Sequence, residues 1–487
     1  MAHPAHEWQR LDSRMLLVHP IKEVLRFLPV LIGLALAGTA SDGSQPWHYL
    51  GVAVPIVLGV LRYLTTRFRI SGGRVELRRG LLEKHVTSTP IDRVRTVDLT
   101  ATPIHRVLGL TKVRIGTGLA TSDDDSLELD GLPRARAEAL RGDLLRLVAA
   151  ESGPMDEAEP RANPEQLVAA FDPAWVRFAP LSGAALVVAV AGIGGLAQVL
   201  NSIGFWEDLD PDEWNLPVAS GLAIAGLGVV VLVAIAMVSA LAYVITNGDY
   251  RLTRVAGAWH VRRGLLTTRE TSLDEDRLAG VMLGEPLALR AARGRSLTAI
   301  VTGVSTSDRS SAMLVPPSDA DITLRVAGVV LGTSAPVLDP LRSHGPAARR
   351  RRWSRALVPT LALAVVLVAV SFLDGVWWPT VLAVVMVFAM SVIAADRTAG
   401  LGSALIEQHV VARSGSLTRR REILAAEHVI GWTWRATWFQ RRVGLTALTA
   451  TTAAGGGAVT LLDVPVADSL QLAEAALPGL ASQFISV

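Results

Sequence analysis

Long apolar stretches without charged residues alternate along the chain with segments in which polar and apolar residues are mixed. A stretch of about 20 apolar residues is typical of a membrane-spanning helix, because that length crosses roughly 30 Å of hydrocarbon. Flanking Arg, Trp or Tyr side chains at headgroup depth extend the shorter stretches. The pattern predicts six spans, over residues 27–40, 48–61, 180–200, 218–243, 357–373 and 379–395.

The six predicted spans form three hairpins, because the connection within each pair is short. Those connections, 41–47, 201–217 and 374–378, contain seven acidic residues and no Lys or Arg. All 47 basic residues therefore lie on the opposite side, and positive charge is retained on the cytoplasmic face. We expect a multi-pass protein of a bacterial inner membrane, with both termini and all large domains in the cytosol.

Composition supports this topology and narrows the chemistry. Half of the residues are hydrophobic, and the absence of cysteine excludes disulfides, thiolate metal sites and cysteine nucleophiles. Seven of the 44 acidic residues lie in the outer connections, so the predicted cytosolic part has 47 basic against 37 acidic residues. This excess of positive charge predicts anionic lipids of the inner leaflet as partners. No removable signal peptide is expected at the N-terminus.

The segments that follow the predicted hairpins repeat one another. The sequence Arg-Arg-Gly-Leu-Leu at 78–82 recurs at 262–266, an offset of 184 residues. The same offset aligns two further pairs of arginines: Arg93 with Arg277, and Arg106 with Arg290.

A third, more degenerate copy lies at an offset of 335 residues. It aligns Arg106 with Arg441 and repeats the Gly-Leu-Thr of 109–111 at 444–446. It lacks the two arginines before its glycine and has His428 where the first copy has Arg93. Because the anchors stay in register, we interpret the three segments as products of duplication.

The first copy shows which elements each repeat forms. Its short β-branched pieces are separated by Gly, Asp or Pro, a pattern typical of antiparallel strands. Leu140, Leu144 and Leu147 then have helical spacing with charges between them, which predicts an amphipathic helix over 134–149 that caps the sheet. The predicted strands are 66–70, 74–79, 84–90, 94–100, 112–117 and 126–129.

The order of these motifs is familiar. Arg-Arg-Gly-Leu-Leu, then Asp-Arg-Val at 92–94, then Arg-Val-Leu-Gly-Leu-Thr at 106–111 before Val-Arg-Ile, resembles the bacterial PH-like domain of the YdbS/YdbT-like membrane protein family. The resemblance is clearest for 63–118, intermediate for 243–303 and weakest for 408–452. It implies a PH-type fold, a bent antiparallel β-barrel or sandwich closed by a C-terminal helix.

The expected fold class is therefore α-helical membrane hairpins plus β. We predict three repeats of a two-helix transmembrane hairpin followed by a cytosolic PH-like β-barrel or sandwich with a C-terminal capping helix. The predicted order is a cytosolic N-terminal segment 1–25, hairpin 26–64, PH-like domain 65–150, linker 151–174, hairpin 175–243, PH-like domain 244–335, basic linker 336–354, hairpin 355–396 and PH-like domain 397–487.

The repeated arginines are the candidate site. Guanidinium groups bind phosphate and carboxylate through paired hydrogen bonds, so they predict a surface for lipid headgroups or an acidic partner. A solvated strand face that merely tolerates arginine explains the same pattern, and the resemblance does not decide between the two. The candidates are Arg78, Arg79, Arg93, Arg106, Arg262, Arg263, Arg277, Arg290 and Arg441.

Four other features have ordinary explanations beside functional ones. The arginines at 349–352 fit topology better than lipid binding, and the acidic run 123–125 fits a polar turn better than a metal site. The glycines at 455–457 fit a hairpin turn, because no Lys-Ser or Lys-Thr follows them. The tryptophans at 432, 434 and 438 fit a core strand, with an exposed aromatic patch as the alternative.

The sequence contains no catalytic constellation, no metal motif and no cofactor motif, and we expect no nucleic-acid partner. We predict a non-enzymatic inner-membrane scaffold that presents three PH-like domains to membrane lipids or to a membrane or cytosolic protein partner. The family resemblance implies a role in envelope maintenance or resistance to membrane-active compounds. The alternative is a lipid-handling or transport component in which the six helices form a path.

Overall fold

The predicted repeats are called copy one (65–150), copy two (244–335) and copy three (397–487) below. The structure is a computed structural model. It describes residues 8–10, 12, 14–15, 65, 67–71, 74–79, 85–90, 96–116, 127–151, 165–182, 194, 198, 201–202, 218–255, 257–302 and 312–478.

The chain divides into two compact units. The first comprises Met1–Leu167, Asp249–Glu275 and Gly303–Ser311, and the second comprises Val168–Gly248, Asp276–Thr302 and Ala312–Val487. Copy one therefore lies in the first unit and copy three in the second. The strands of copy two are divided between them.

The first unit begins with a four-stranded antiparallel sheet whose strands follow one another in order. Its core-facing positions alternate along the strands, as in Val75 and Leu77, which are buried. The strands are β1 (Gln9–Arg10), β2 (Arg67–Ser71), β3 (Arg74–Arg79) and β4 (His85–Pro90).

The edge strand of this sheet comes from the N-terminal segment, which sequence reasoning treated as a separate piece. Gln9 pairs with Phe68, and the guanidinium of Arg69 lies 4.8 Å from the ring centroid of Trp8. Met15 is fully buried and packs against Leu110. The N-terminal segment is thus part of the first domain.

The second half of copy one supplies three more strands and two helices. A short helix, α1, begins at a proline and ends at Gly109, which adopts a left-handed conformation with φ of 69°. Sequence reasoning missed this helix, while the capping helix, α2, was predicted correctly. The elements are β5 (Thr96–Ala101), α1 (Pro103–Leu108), β6 (Leu110–Gly116), β7 (Leu127–Pro133) and α2 (Arg134–Glu151).

Strands of copy one and copy two join in one sheet with a strand from the segment 151–174, which was predicted to be a linker. Its order is β7-β6-β5-β11-β10-β9-β8, and Thr268 to Leu273 pair with Ala101 to Thr96 across the junction between the copies. The added strands are β8 (Gln166–Ala170), β9 (Arg251–Val255), β10 (Ala258–Arg263) and β11 (Thr268–Asp274).

The core of copy one forms between its two sheets and α2. Aliphatic side chains from both sheets pack against two residues of the helix, Ala137 and Leu140. The cluster consists of Val75, Leu77, Val97, Leu99, Val113, Ile115, Leu129, Leu132, Ala137 and Leu140.

The second unit repeats the same arrangement with the next pair of copies. Its six-stranded sheet has the order β14-β13-β12-β17-β16-β15, and residues 280–286 of copy two pair with residues 418–424 of copy three. The strands are β12 (Leu278–Pro286), β13 (Gly294–Val301), β14 (Met313–Asp319), β15 (Gly402–Ile406), β16 (His409–Ser414) and β17 (Thr418–Ala425).

Copy three ends in a separate three-stranded sheet and a helix that covers it. Buried residues of this sheet and of β16 and β17 form one cluster, which Ala279 and Ile300 of copy two join. The strands are β18 (Gly431–Arg435), β19 (Leu445–Thr451) and β20 (Ala458–Pro465).

The helices of the second unit include two that form a complete hairpin. The connection between them, residues 375–377, agrees with the predicted connection 374–378. Besides a 3₁₀ helix at Pro173–Leu181, the helices are α3 (Val218–Asn247), α4 (Leu287–Ala291), α5 (Ala320–Leu331), α6 (Ala335–Leu338), α7 (Gly345–Asp374), α8 (Trp378–Ala399), α9 (Trp438–Arg442) and α10 (Val466–Ala476).

Three described helices are long and apolar enough to cross a membrane, over Gly228–Asn247, Gly345–Asp374 and Trp378–Ala399. Their apolar side chains are exposed, as in Val365 at 68% and Phe388 at 70%, which suits contact with lipid. The predicted spans at 27–40 and 48–61 lie outside the described residues, as does nearly all of 180–200. The basic segment predicted as a linker, 336–354, is helical from Gly345 onward.

Candidate functional site

The candidate arginines of copy one have unequal surroundings. Arg78 is half-buried on β3, and Arg106 is exposed on α1, where its Nη1 donates to the carbonyl of Leu265. The side chain of Arg79 and all of Arg93 lie outside the described residues.

Two candidate arginines of copy two lie side by side on β10. Arg262 is 3.2 Å from Asp249 and reaches Glu270 at 3.9 Å. Arg263 is only 8% exposed, and its burial and the neighbouring Arg269 lower its pKa to about 10. Arg263 remains charged at neutral pH, but it is not available as a surface group.

The remaining candidates lie in the second unit. Arg277 is half-buried, and its carbonyl accepts a hydrogen bond from the Thr302 amide at 3.0 Å. Arg290 forms an ion pair with Asp396, and Arg441 is exposed on α9. Lipid or partner binding by the nine arginines stays a prediction, and Arg106, Arg262 and Arg290 already have protein partners.

The arrangement that sequence reasoning missed is a pair of carboxylates at the ends of the third hairpin, one buried and one half-buried. The first is Asp463 on β20, which is 1% exposed. It accepts hydrogen bonds from Arg351, from Arg352 Nε at 2.7 Å and from Gln440 Nε2 at 2.9 Å. The two arginines belong to α7, so this carboxylate attaches the helix to the sheet of copy three.

A buried histidine strengthens the same attachment. His344 lies immediately before α7 and is 5% exposed. Its Nδ1 is 2.9 Å from the carbonyl of Leu462, and its Nε2 is 2.9 Å from the hydroxyl of Ser403. Burial lowers the pKa of His344, so its ring is neutral at neutral pH and bridges two strands of copy three.

The second carboxylate, Asp396, lies in the last turns of α8. It accepts hydrogen bonds from Arg290 at 2.8 Å, Arg419 at 2.7 Å and Ser416 at 2.8 Å. Arg290 comes from copy two and Arg419 from copy three. One carboxylate at the end of the hairpin therefore binds both copies.

A basic cleft of about 520 Å³ adjoins Asp463. One wall is the polar beginning of α7, with Arg351, Arg352 and Arg355, and another contains Arg435 at the end of β18. Asp463 is the single acidic residue in its lining. The cleft therefore carries an excess of positive charge.

The short helix α9 begins at the edge of this cleft. Thr437 and Gln440 form a capping box, which fixes the start of the helix. Trp438 and Phe439 are 49% and 69% exposed and meet edge to face at 4.9 Å. The guanidinium of Arg442 lies 3.7 Å from the ring centroid of Trp438, so the helix presents aromatic and basic groups together.

The tryptophans at 432, 434 and 438 were interpreted as part of a core strand or as an exposed aromatic patch, and each interpretation is correct for some of them. Trp432 and Trp434 are partly buried on β18 against the core of copy three, and Trp434 Nε1 donates to Ser469 Oγ at 3.2 Å. Trp438 is on α9 and exposed. The core interpretation is correct for the first two, and the exposed patch contains only the third with its neighbour Phe439.

Two of the other sequence motifs lie in elements that the structure describes. The arginines at 349–352 are on α7, and the glycines at 455–457 form the turn between β19 and β20, as predicted. The acidic run at 123–125 lies outside the described residues. Within the parts of the chain that are described, no group of three His, Asp or Glu side chains is placed to hold a metal ion.

One of the two carboxylates had a signal in the sequence. Val459 and Leu461 are alternate apolar residues of β20, and Asp463 is the next residue in that alternation, where the pattern predicts an apolar side chain. A charge at such a position requires a partner. Asp396 had no comparable signal, because a charged residue directly after an apolar span is ordinary.

The β-sheets of the fold agree with a comparison to protein families. The family model for the bacterial PH domain matches residues 23–148 and 356–475, which together make up just over half of the chain. The chain therefore belongs to the bacterial PH domain family. The matches cover copies one and three and begin ahead of the first and third apolar pairs, although copy three had the weakest resemblance by its motifs. Neither curated proteins nor solved structures gave a significant match.

Proposed function

We propose that this protein is a non-enzymatic membrane scaffold of the YdbS/YdbT-like type. Six spans hold three PH-like domains against the cytosolic face of a bacterial inner membrane, where the domains bind a protein partner or lipid headgroups. Weak sites on linked domains act jointly, because the first contact raises the effective concentration of the next.

The observation that carries this proposal is Asp396. It lies at the end of a helix long and apolar enough to cross a membrane, and it is bound at once by Arg290 of copy two and Arg419 of copy three. Strand pairing between β12 and β17 joins the same two copies. A hairpin fixed in this way to two domains favours stable presentation over large relative movement.

Because the chain contains no cysteine, a pair of introduced cysteines can test directly whether copy one and copy two share a sheet. Ala101 and Thr268 are paired residues of β5 and β11 in different copies, so Ala101→Cys with Thr268→Cys introduces the only two thiols of the chain. Directly opposite strand residues have the Cα spacing that a disulfide needs. The double variant should cross-link on oxidation in native membranes, and either single variant should not.

The functional test uses the disulfide cross-link of the double variant. The full chain, extracted with its surrounding lipid into nanodiscs, should retain a stoichiometric protein partner identified by mass spectrometry. Retention should be equal with the cross-link formed and reduced, because a scaffold does not need its copies to separate. Lipid transfer or substrate flux that stops on oxidation, with no protein partner, would reject the scaffold in favour of a lipid-handling or transport role.

A further inference from the structure

We propose that the basic cleft between α7 and α9 is a binding site for the phosphate headgroup of an anionic phospholipid. The inference deepens the proposed function, since it takes α7 to be embedded in the membrane. None of the cleft's own arginines belongs to the repeated set.

Two of the four arginines that line the cleft do not bind Asp463. Asp463 is already bound by Arg351, Arg352 and Gln440. Arg355 and Arg435 are exposed in the cleft, and among the described residues neither forms an ion pair. Two guanidinium groups without a carboxylate suit a phosphate, which accepts several charge-assisted hydrogen bonds.

The position of the cleft along α7 selects a lipid as the source of that phosphate. Arg355 precedes the uncharged stretch 357–373 by two residues, which is about 3 Å along the axis of a helix. Arg351 lies one turn further away. Arg355 is therefore at the depth where phospholipid phosphates lie when 357–373 is in hydrocarbon.

The helix α9 gives independent support. Its N-cap residue, Thr437, lines the cleft, and the helix exposes Trp438 and Phe439 beside Arg441 and Arg442. Tryptophan and arginine side chains combine an apolar body with a polar end, and they are favoured at the boundary between hydrocarbon and water. A soluble ligand would leave these aromatic rings in water, whereas a lipid surface would cover them.

The same helix supplies a matched control. Arg349 and Arg350 are exposed on α7, as Arg355 is, but they do not line the cleft. The test variant is Arg355→Gln with Arg435→Gln, and the control is Arg349→Gln with Arg350→Gln. Both remove two positive charges, and neither changes a partner of Asp463. Equal thermal unfolding temperatures of the two variants in detergent check that both fold.

The measurement is retention of phosphatidylglycerol by the purified full chain, followed by native mass spectrometry against phosphatidylcholine. Affinity for phosphatidylglycerol should fall about tenfold or more in the test variant, which loses charge-assisted hydrogen bonds to the phosphate, and should change less than threefold in the control, whose arginines do not line the cleft. Free glycerol 3-phosphate at equal concentration should not compete.

The contrary outcomes are distinct. Equal losses in the two variants would show a general charge effect and reject the site. Competition by glycerol 3-phosphate would assign the cleft to a soluble phosphate, and loss of an acidic protein partner in the test variant alone would assign it to that protein. A chain that keeps its partner but has no lipid preference rejects the lipid site while leaving the scaffold standing.

Discussion

Replacing Asp463 by asparagine removes the buried charge that attaches α7 to copy three. Its carboxylate is 1% exposed, and the side chains of Arg351 and Arg352 are 13% and 15% exposed, so water from the adjoining cleft can replace only part of the lost contacts. Asparagine is the informative substitution because residue 463 has a φ of 55°, a conformation that asparagine adopts more readily than alanine. The variant therefore tests charge rather than backbone strain.

The expected loss of unfolding free energy depends on the two arginines that remain without their carboxylate partner. Removing one partner of a buried ion pair costs about 3–5 kcal/mol, because the remaining charge stays buried without compensation. Here two arginines lose a shared partner, but the amide oxygen of asparagine keeps one hydrogen bond. We expect a loss of about 3 kcal/mol in the free energy of unfolding.

A second aspartate of the same domain provides the comparison. Asp468 lies 3.2 Å from Arg342, whose side chain is 67% exposed. An exposed pair of this kind contributes at most about 1 kcal/mol, so Asp468→Asn should have little effect. Both variants remove one negative charge, and they differ in burial.

Thermal unfolding of the full chain in detergent micelles, followed by tryptophan fluorescence, would measure the difference. Asp463→Asn should lower the midpoint by several degrees and Asp468→Asn by about one degree or less. In a double-mutant cycle, adding Arg352→Gln to Asp463→Asn should cost less than the sum of the single losses. Equal midpoints for the two aspartate variants would refute the reasoning that burial of this pair attaches the helix.

Two further predictions concern pH and strand pairing. Burial lowers the pKa of folded His344, so the unfolded chain binds a proton first as pH falls below 6.5, and stability should decrease from that pH downward. His344→Gln should reduce the fall in unfolding midpoint between pH 7.5 and 5; an identical fall would contradict this. Gly280→Ala would place a methyl group 1.9 Å from the carbonyl of Ile423, which opposes β12–β17 pairing, and should destabilise by about 3 kcal/mol or more. The helical control Gly142→Ala, with no atom within 4 Å, should stabilise by up to about 1 kcal/mol, and a similar loss in both would contradict the steric argument.

Much of the local structure was predictable because it depends on local patterns. The strands of copy one lie within a few residues of their predicted positions, and α2 spans Arg134–Glu151 against a predicted 134–149. The third hairpin agrees with two uncharged stretches and a short connection. The helix α1 was missed because six residues are too few to show helical periodicity, although Pro103 at its start and Gly109 at its end are both helix-boundary residues.

The candidate site was less predictable. Repetition marked nine arginines, but it could not distinguish Arg263, which is buried, from Arg106, which is exposed. Arg355 and Arg435 were not marked as a pair, because they are distant in sequence and only the tertiary structure places both in the lining of one cleft. Side-chain type predicts what a residue can bind, and only its surroundings decide what remains available to bind.

The sequence by itself predicted the two apolar helices of the third hairpin and the alternating strands of copy one, since hydrophobic length and periodicity are properties of consecutive residues. The tertiary structure alone decided that consecutive copies share sheets, β5 with β11 and β12 with β17. Strands pair through backbone amides and carbonyls that every non-proline residue possesses, so the side-chain pattern gives a strand its faces but not its neighbour. The same is true of Asp396, whose two arginines come from different copies and meet because those copies are joined.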